Sequence, residues 1–391
     1  MDITSTAMDG SCEPQWLDSD SAFCAYCESL PAGQAVAIDT EFDSSRCYYP
    51  QLALVQFGVS RESCAIADPL MISDWQPLAA LLADETRRKI FFSGANDLPL
   101  LVRACGGPSV LLPRNIFDVQ VACGFYGKSA NLSLKNVILG ELGIELAKSE
   151  TLSDWMQRPL TAKQLQYAAG DVALLPQIAQ MQEERMRANG NWEFFVDEMR
   201  AFEAPEFYGE SSPEEVWERV RGKMRRCSDS EKSQAHYMVL WREFIAVRDN
   251  ITRNHILRDD QLIWVVQRHP RSTKEMHAMP FVRGASLRIY GDEIIETLQK
   301  APRDDRSCLE KQEKQAFDPN YKAKVKQLTE RIMGLVEKRA QERQIDSALL
   351  AAKHHVVEYI NCRLHNAPVD KVKIATGWRA KVLQPTLGEI L

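Results

Sequence analysis

The chain of 391 residues is 45% hydrophobic and 26% charged, with ten cysteines and a formal net charge of −6, the composition of a globular protein with room for two or three domains. No apolar run approaches the roughly 20 residues of a membrane helix, and the first fifteen residues lack the basic start and apolar core of a signal peptide, so a cytoplasmic protein with no membrane partner is expected. The net charge hides a split: residues 1–220 hold 16 basic against 32 acidic side chains, and residues 221–391 hold 32 against 22, which suggests that the C-terminal part meets a polyanion.

In chain order, "CAYC" at 24–27 has the spacing of half a zinc site, but no second Cys or His pair lies near it in sequence. A plain helix face is the expectation there, and the other cysteines read as reduced thiols. Residues 34–94 then read as strands: "QAVAIDTEF" (34–42), "QLALVQFGV" (51–59), "SCAIADP" (63–69) and, after a helical stretch, "RKIFFSG" (88–94). Helical periodicity dominates afterwards, at about 96–105, 118–126, 133–142 and in one long helix from about 162 to 188. Thr161 and Gln164 form the signature of a capping box at its start, and Leu165, Ala168, Val172, Leu175 and Ile178 mark one buried face. Strands followed by helices predict a mixed sheet with helices packed on it. A linker rich in Glu, Pro and Ser follows at 204, and the rest is helical, broken at 303–320 by "RDDRSCLEKQEKQAFDPN".

Asp39 and Glu41 end the first of these strands with only Thr40 between them. On an extended chain they face one side, about 7 Å apart at the α-carbons. Two such carboxylates repel unless one is protonated or a cation lies between them. Asp97 follows another apolar strand at a helix start, and Tyr167 and Asp171 lie four apart on one helix face. Each alone has a structural reading: a helix-start acid, a core-edge tyrosine, a solvated charge. All seven histidines fall after residue 235, which excludes a histidine base or a Ser-His-Asp arrangement in the N-terminal part. An all-carboxylate set suits hard Mg²⁺ or Mn²⁺ rather than Zn²⁺. Four carboxylates balance two divalent ions, the pair used for in-line phosphoryl displacement. Tyr167 would orient the attacking water, since its ordinary pKa near 10 makes it a poor base.

These stretches, "IDTEF", "ND" before an apolar helix, and "YAAGDVALL", resemble the three motifs of the DEDDy 3′→5′ exonucleases. "KSETLSDWMQRPLTAKQLQYAAGDVALL" (148–175) is similar to the ribonuclease D family within them. The stretch 239–276, from "VLWREFIAVRDN" to "HPRSTKEM", is similar to an HRDC domain, "WERVRGKMRR" to its connecting helix, and "TGWRAKVLQPTLGEIL" (376–391) to a second, divergent HRDC-like domain. The resemblance implies a ribonuclease H-like α/β exonuclease domain at 1–203, a linker and connecting helix at 204–229, an HRDC domain at 230–302, a linker at 303–320, and a helical domain at 321–391. It implies that Asp39, Glu41, Asp97 and Asp171 are metal ligands for two Mg²⁺ or Mn²⁺ ions and that Tyr167 is catalytic. Phe42 would contact the substrate, and Gln56 on the next strand would reach the terminal nucleotide. One departure stands out: the family's second motif carries a histidine before its aspartate, as in H-A-x-x-x-D, and this chain reads "FFSGAND".

The expected function is hydrolysis of RNA 3′ ends to nucleoside 5′-monophosphates, with structured precursors such as tRNA implied as substrates. The alternatives are a DNA 3′→5′ exonuclease, or a non-catalytic RNA-binding scaffold that keeps the fold. Trp241, Arg242, Arg248, Arg253 and Arg258 would offer a phosphate-binding face, with Trp241 in the core. No obligate protein partner is evident.

Overall fold

A computed structural model describes residues 13–146, 153–280, 286–305 and 319–387. Most of the 303–320 linker, the start of the 148–175 stretch and the last four residues lie outside the described residues. Six strands form: β1 (Gln15–Leu17), β2 (Val36–Asp43), β3 (Gln51–Ser60), β4 (Ser63–Ala67), β5 (Lys89–Phe91) and β6 (Ile116–Asp118). They make one mixed sheet in the order β1-β4-β3-β2-β5-β6. β3 and β4 are antiparallel, whereas β1 with β4, β2 with β5, and β5 with β6 are parallel. β2 and β3 lie in the middle, buried on both faces, which is why Val36–Ile38 and Ala53–Val55 are unbroken apolar runs.

Eight helices accompany the sheet among the described residues: α1 (Asp20–Ser29), α2 (Gln76–Ala83), α3 (Asp97–Ala104), α4 (Val119–Cys123), α5 (Leu134–Leu142), α6 (Ala162–Ala173), α7 (Leu175–Ala188) and α8 (Trp192–Met199). Cys24 and Cys27 lie on α1. The single helix expected over 162–188 is two, because Pro176 has no N–H to give and in a continuous helix its ring would clash with the carbonyl of Val172. α6 lies close over β3: a Cβ at Gly58 would come within 2.6 Å of the Val172 carbonyl oxygen, so only glycine fits.

A second compact unit combines Asp43–Gln51, the β2–β3 connection, with residues 209–317. It contains α9 (Pro213–Arg221), α10 (Asp229–Arg248), α11 (Arg253–Ile256), α12 (Asp259–Arg268), α13 (Thr273–His277) and α14 (Ser286–Lys300). Ser212 and Ser228 each close a capping box, fixing where α9 and α10 begin. Val220, Val239, Leu262 and Leu298 belong to the core of this unit, with Trp241 partly buried against it.

The last block, α15 (Pro319–Arg343), α16 (Ser347–Leu350), α17 (Lys353–Leu364) and α18 (Gly377–Leu387), belongs to the same compact unit as the sheet. This differs from the separate domain expected at 321–391. The reason is a shared core: Trp378 packs on Phe125 and Phe194 at centroid distances of 5.1 and 6.0 Å. Beside it, Arg379 makes a two-pronged ion pair with Glu198 at 2.6 and 2.8 Å.

Candidate active site

Asp39 and Glu41 stand toward the end of β2, and α6 brings Asp171 to them. One carboxylate oxygen from each of the three lies within 4.8 Å of the others. The capping box fixes this register: Thr161 Oγ1 accepts from the Gln164 amide at 3.3 Å, and Gln164 Oε1 accepts from the Thr161 amide at 3.0 Å. Ten residues on, α6 presents Asp171, and one turn earlier Tyr167, whose side chain hydrogen-bonds the Asp171 carboxyl.

Asp97 is the first residue of α3 and is 7% exposed. It is not part of the three-carboxylate cluster; the Thr40 hydroxyl donates to it from the residue between Asp39 and Glu41. The turn before it, where the family's histidine is missing, is held from below. Asp118 accepts backbone N–H bonds from Ser93 at 3.2 Å and Gly94 at 2.9 Å, while capping α4 through Gln120 and Val121 at 2.9 and 3.1 Å.

Burial raises all four acids, and neighbouring carboxylates of the set add to it at Asp39 and Glu41. Burial, followed by the charges of Asp97, Asp171 and Glu41, holds Asp39 well above the usual carboxylate range. Burial, then Asp171 and Asp97, pushes Glu41 up to about 8. Asp97 and Asp171 are raised chiefly by burial, against hydrogen bonds from Thr40 and Tyr167 that pull them down. Among the described residues none of the four forms an ion pair with Lys or Arg. Converging oxygens with no protein counter-charge are what a hard divalent cation requires, so the donor set fits Mg²⁺ or Mn²⁺.

Phe42 follows Glu41 on β2 and is half-buried. Gln56 is not at the surface of the site. It has no exposed surface, and both of its amide atoms lack a hydrogen-bond partner. It shares a strand face with Gly58, the residue α6 covers, so the helix seals it from any nucleotide.

Sequence reasoning missed three supports. Thr40 was visible only as a spacer between acids. Arg158, in the "RPL" element, donates to both Asp68 oxygens at 2.7 Å, to the Ala53 carbonyl at 2.8 Å and to the Trp155 carbonyl at 2.8 Å. That clamp ties the segment before α6 to the sheet and sets Trp155 against Tyr167, ring centroids 6.0 Å apart. Asp118 is the third. A charged residue after an apolar run was the available signal for Asp118, but its four N–H partners come from two separate segments.

The 3′-5′ exonuclease family model matches residues 14–186, and the HRDC domain model matches residues 235–298. Ribonuclease D of Desulfotalea psychrophila is 31% identical over 351 residues, 90% of this chain and 91% of that one. Ribonuclease D of Escherichia coli is 29% identical over 381 residues, 96% of this chain and 98% of that one. The crystal structure of Escherichia coli RNase D, an exoribonuclease involved in structured RNA processing, matches with a TM-score of 0.80 at 26% identity, covering 97% of this chain and 98% of that chain.

Proposed function

Because this chain belongs to the ribonuclease D family and is a hydrolytic 3′→5′ exoribonuclease, we propose that it trims structured RNA precursors, tRNA in particular, by two-metal-ion chemistry at Asp39, Glu41, Asp97 and Asp171. The observation that carries this reading is the convergence of Asp39, Glu41 and Asp171 without a counter-charge from Lys or Arg among the described residues. When bound, a pair of Mg²⁺ or Mn²⁺ ions supplies an activated water and neutralises charge on the departing oxygen. Asp39 feels the charges of all three other acids. Glu41 and Asp171 would hold the ions together with Asp39, and Asp97, steadied by Thr40, would supply the fourth carboxylate. Tyr167 holds the water in line through its hydroxyl, and its bond to Asp171 fixes the ring. Phe42 stacks on the terminal base, where the family's substrate contact would lie. The products are nucleoside 5′-monophosphates.

The test uses a 5′-labelled single-stranded RNA beside a DNA of the same sequence, each with Mg²⁺, Mn²⁺ or EDTA. A metal-dependent ladder shortening from the RNA 3′ end is expected. Equal DNA cleavage would overturn the RNA assignment. A tRNA precursor with a 3′ extension, run beside the unstructured RNA, tests the substrate: shortening that halts at the mature end supports it, and indiscriminate degradation counts against it. With Tyr167→Phe, kcat should fall about 10²-fold while KM for RNA stays within about threefold, as for loss of a group that acts mainly in the transition state. An unchanged kcat would remove Tyr167 from the mechanism.

The raised carboxylates also set a pH dependence. Between an unfolded value near 4.3 and the folded value of about 8 for Glu41, the metal-free folded protein binds more protons than the unfolded chain. Its stability is therefore highest at the acid end of that window and falls as pH rises through it. In EDTA the Tm should drop from pH 6 to pH 8.5. Millimolar Mn²⁺ should shrink or reverse that drop, because the cation favours the ionised carboxylates. A metal-free Tm that climbs over this range would contradict the assignment of uncompensated acids.

A further inference from the structure

α6 rests on its surroundings through two separate apolar contacts. Val172, next to Asp171, belongs to the main core, where Gly58 lets the helix backbone come close. Ala168 belongs instead to a small cluster with Ala53, Leu54, Ile66 and Trp155, against which Tyr167 packs partly buried. The two side chains of this helix assigned to the chemistry therefore have different seats. Asp171 is placed by the helix backbone, which the capping box and the Gly58 contact fix. The Tyr167 ring is placed by what it packs on.

Trp155 is itself held from both sides. Arg158 Nη1 donates to its carbonyl at 2.8 Å while the same guanidinium grips Asp68 and the Ala53 carbonyl of the sheet. On the other side, Gln164 Nε2 donates to the Asp154 carbonyl at 3.2 Å, and the Met156 amide donates to Asp154 Oδ1 at 3.0 Å. Gln164 also closes the capping box of α6. One side chain thus ties the start of the helix to the backbone beside the tryptophan.

The indole is 5% exposed and stands against the Tyr167 ring, centroids 6.0 Å apart and planes inclined by 35°. Its N–H is buried and has no acceptor. An aliphatic or plain aromatic side chain would fill apolar space without burying an unpaired donor, so what this position contributes is the breadth of the ring. Tyr167 meets Asp171 through the far end of its side chain. A ring free to tilt would sweep that hydroxyl across the site, and a misplacement of about 1 Å can cost about 10²-fold in rate.

We propose that Trp155 is a positioning residue for the exonuclease reaction: its indole is the wall that sets the tilt of the Tyr167 ring and so aims the hydroxyl at the attacking water. The proposal rests on the role given to Tyr167 above. It acts on turnover through that hydroxyl alone, not through the carboxylates.

The test is a double-mutant cycle on kcat for a 5′-labelled single-stranded RNA in saturating Mn²⁺. Trp155→Leu should lower kcat about 30-fold, with KM within about threefold and the Mn²⁺ concentration for half-maximal kcat unchanged, because Asp171 keeps its place. Trp155→Phe keeps an aromatic face and should recover kcat to within about threefold of wild type. In a Tyr167→Phe background no hydroxyl is left to aim, so adding Trp155→Leu should slow the enzyme by no more than about threefold further. Damage to the fold or to the metal ligands would instead multiply the two losses. Should Trp155→Leu fail to fold, Arg158→Lys, which loses the guanidinium fork that carries the indole, takes its place in the cycle. Its loss should likewise vanish in the Tyr167→Phe background. In EDTA, a fluorotyrosine at position 167 reports the ring directly by fluorine NMR, with a narrow line in the wild type and a broadened or split one in Trp155→Leu. Multiplying losses, a shifted Mn²⁺ midpoint or an unchanged fluorine line would overturn the positioning role. If Tyr167→Phe is slow while Trp155→Leu turns over at the wild-type rate, only the Trp155 proposal falls. If Tyr167→Phe is itself as fast as wild type, the role of Tyr167 falls and the wall with it. A wild type that leaves RNA intact defeats the exoribonuclease reading.

Discussion

Replacing Asp39 by asparagine should lower kcat on single-stranded RNA at least about a thousandfold, with the fold intact. Asp39 is the acid on which the charges of Asp97, Asp171 and Glu41 all act. Its amide replacement keeps the shape but removes the charge that two divalent ions would share. The same substitution relieves repulsion in the metal-free protein. In EDTA at pH 8.5 the Asn variant should therefore melt at or above the wild-type temperature, and Mn²⁺ should raise its Tm less than it raises the wild type's. This pairing separates a chemical role from a structural one. A folded variant retaining more than a tenth of wild-type turnover would defeat the ligand assignment, and a variant that melts far below wild type in EDTA would show that Asp39 acts in folding.

The site was legible in the sequence where its geometry is local. The spacing of Asp39 and Glu41 on a strand, and of Tyr167 and Asp171 on a helix, fixes which side chains share a face before any tertiary contact is known. The structure adds what only packing can decide. Gln56 sits on a strand beside that of the acids, and nothing local says that α6 covers it; Gly58, two residues on, carried the hint that something approaches closely. Similarly, β1, β5 and β6 have three residues each, too few for a period of two to be counted. The grouping of α15–α18 with the sheet depends on Trp378 and Arg379 finding Phe125 and Glu198 far along the chain. Residues 43–51, placed by the sequence within the 1–203 domain, group with the second unit, where Tyr48 donates to Glu243 and the Tyr49 amide donates to Asn250.

Asp118→Ala should be the most damaging substitution outside the acid cluster, because among the described residues Asp118 anchors "FFSGAND" through two backbone amides at once. Ser93 in this turn has φ of 60°, a left-handed conformation that costs a non-glycine residue about 1 kcal/mol. Gly94 cannot carry a side chain, since a Cβ would lie 2.6 Å from that of Phe91. Asp118, 1% exposed, holds both residues by their amides and caps α4 with the same carboxylate. Alanine would strand four N–H groups, two of them the cap of a helix, at a cost of about 3 kcal/mol after partial rescue by water. Urea unfolding reads that loss directly. Asp97, three residues past Gly94, would lose its fixed position relative to Thr40, so the Mn²⁺ concentration for half-maximal kcat should rise about tenfold. Asp118→Asn keeps the oxygen that serves Ser93, Gln120 and Val121 but turns an NH₂ toward the Gly94 amide, and should fall between alanine and wild type on both measures. An alanine variant that loses stability with an unshifted Mn²⁺ midpoint would mean that Thr40 alone positions Asp97 and that the turn without its histidine is a matter of folding only.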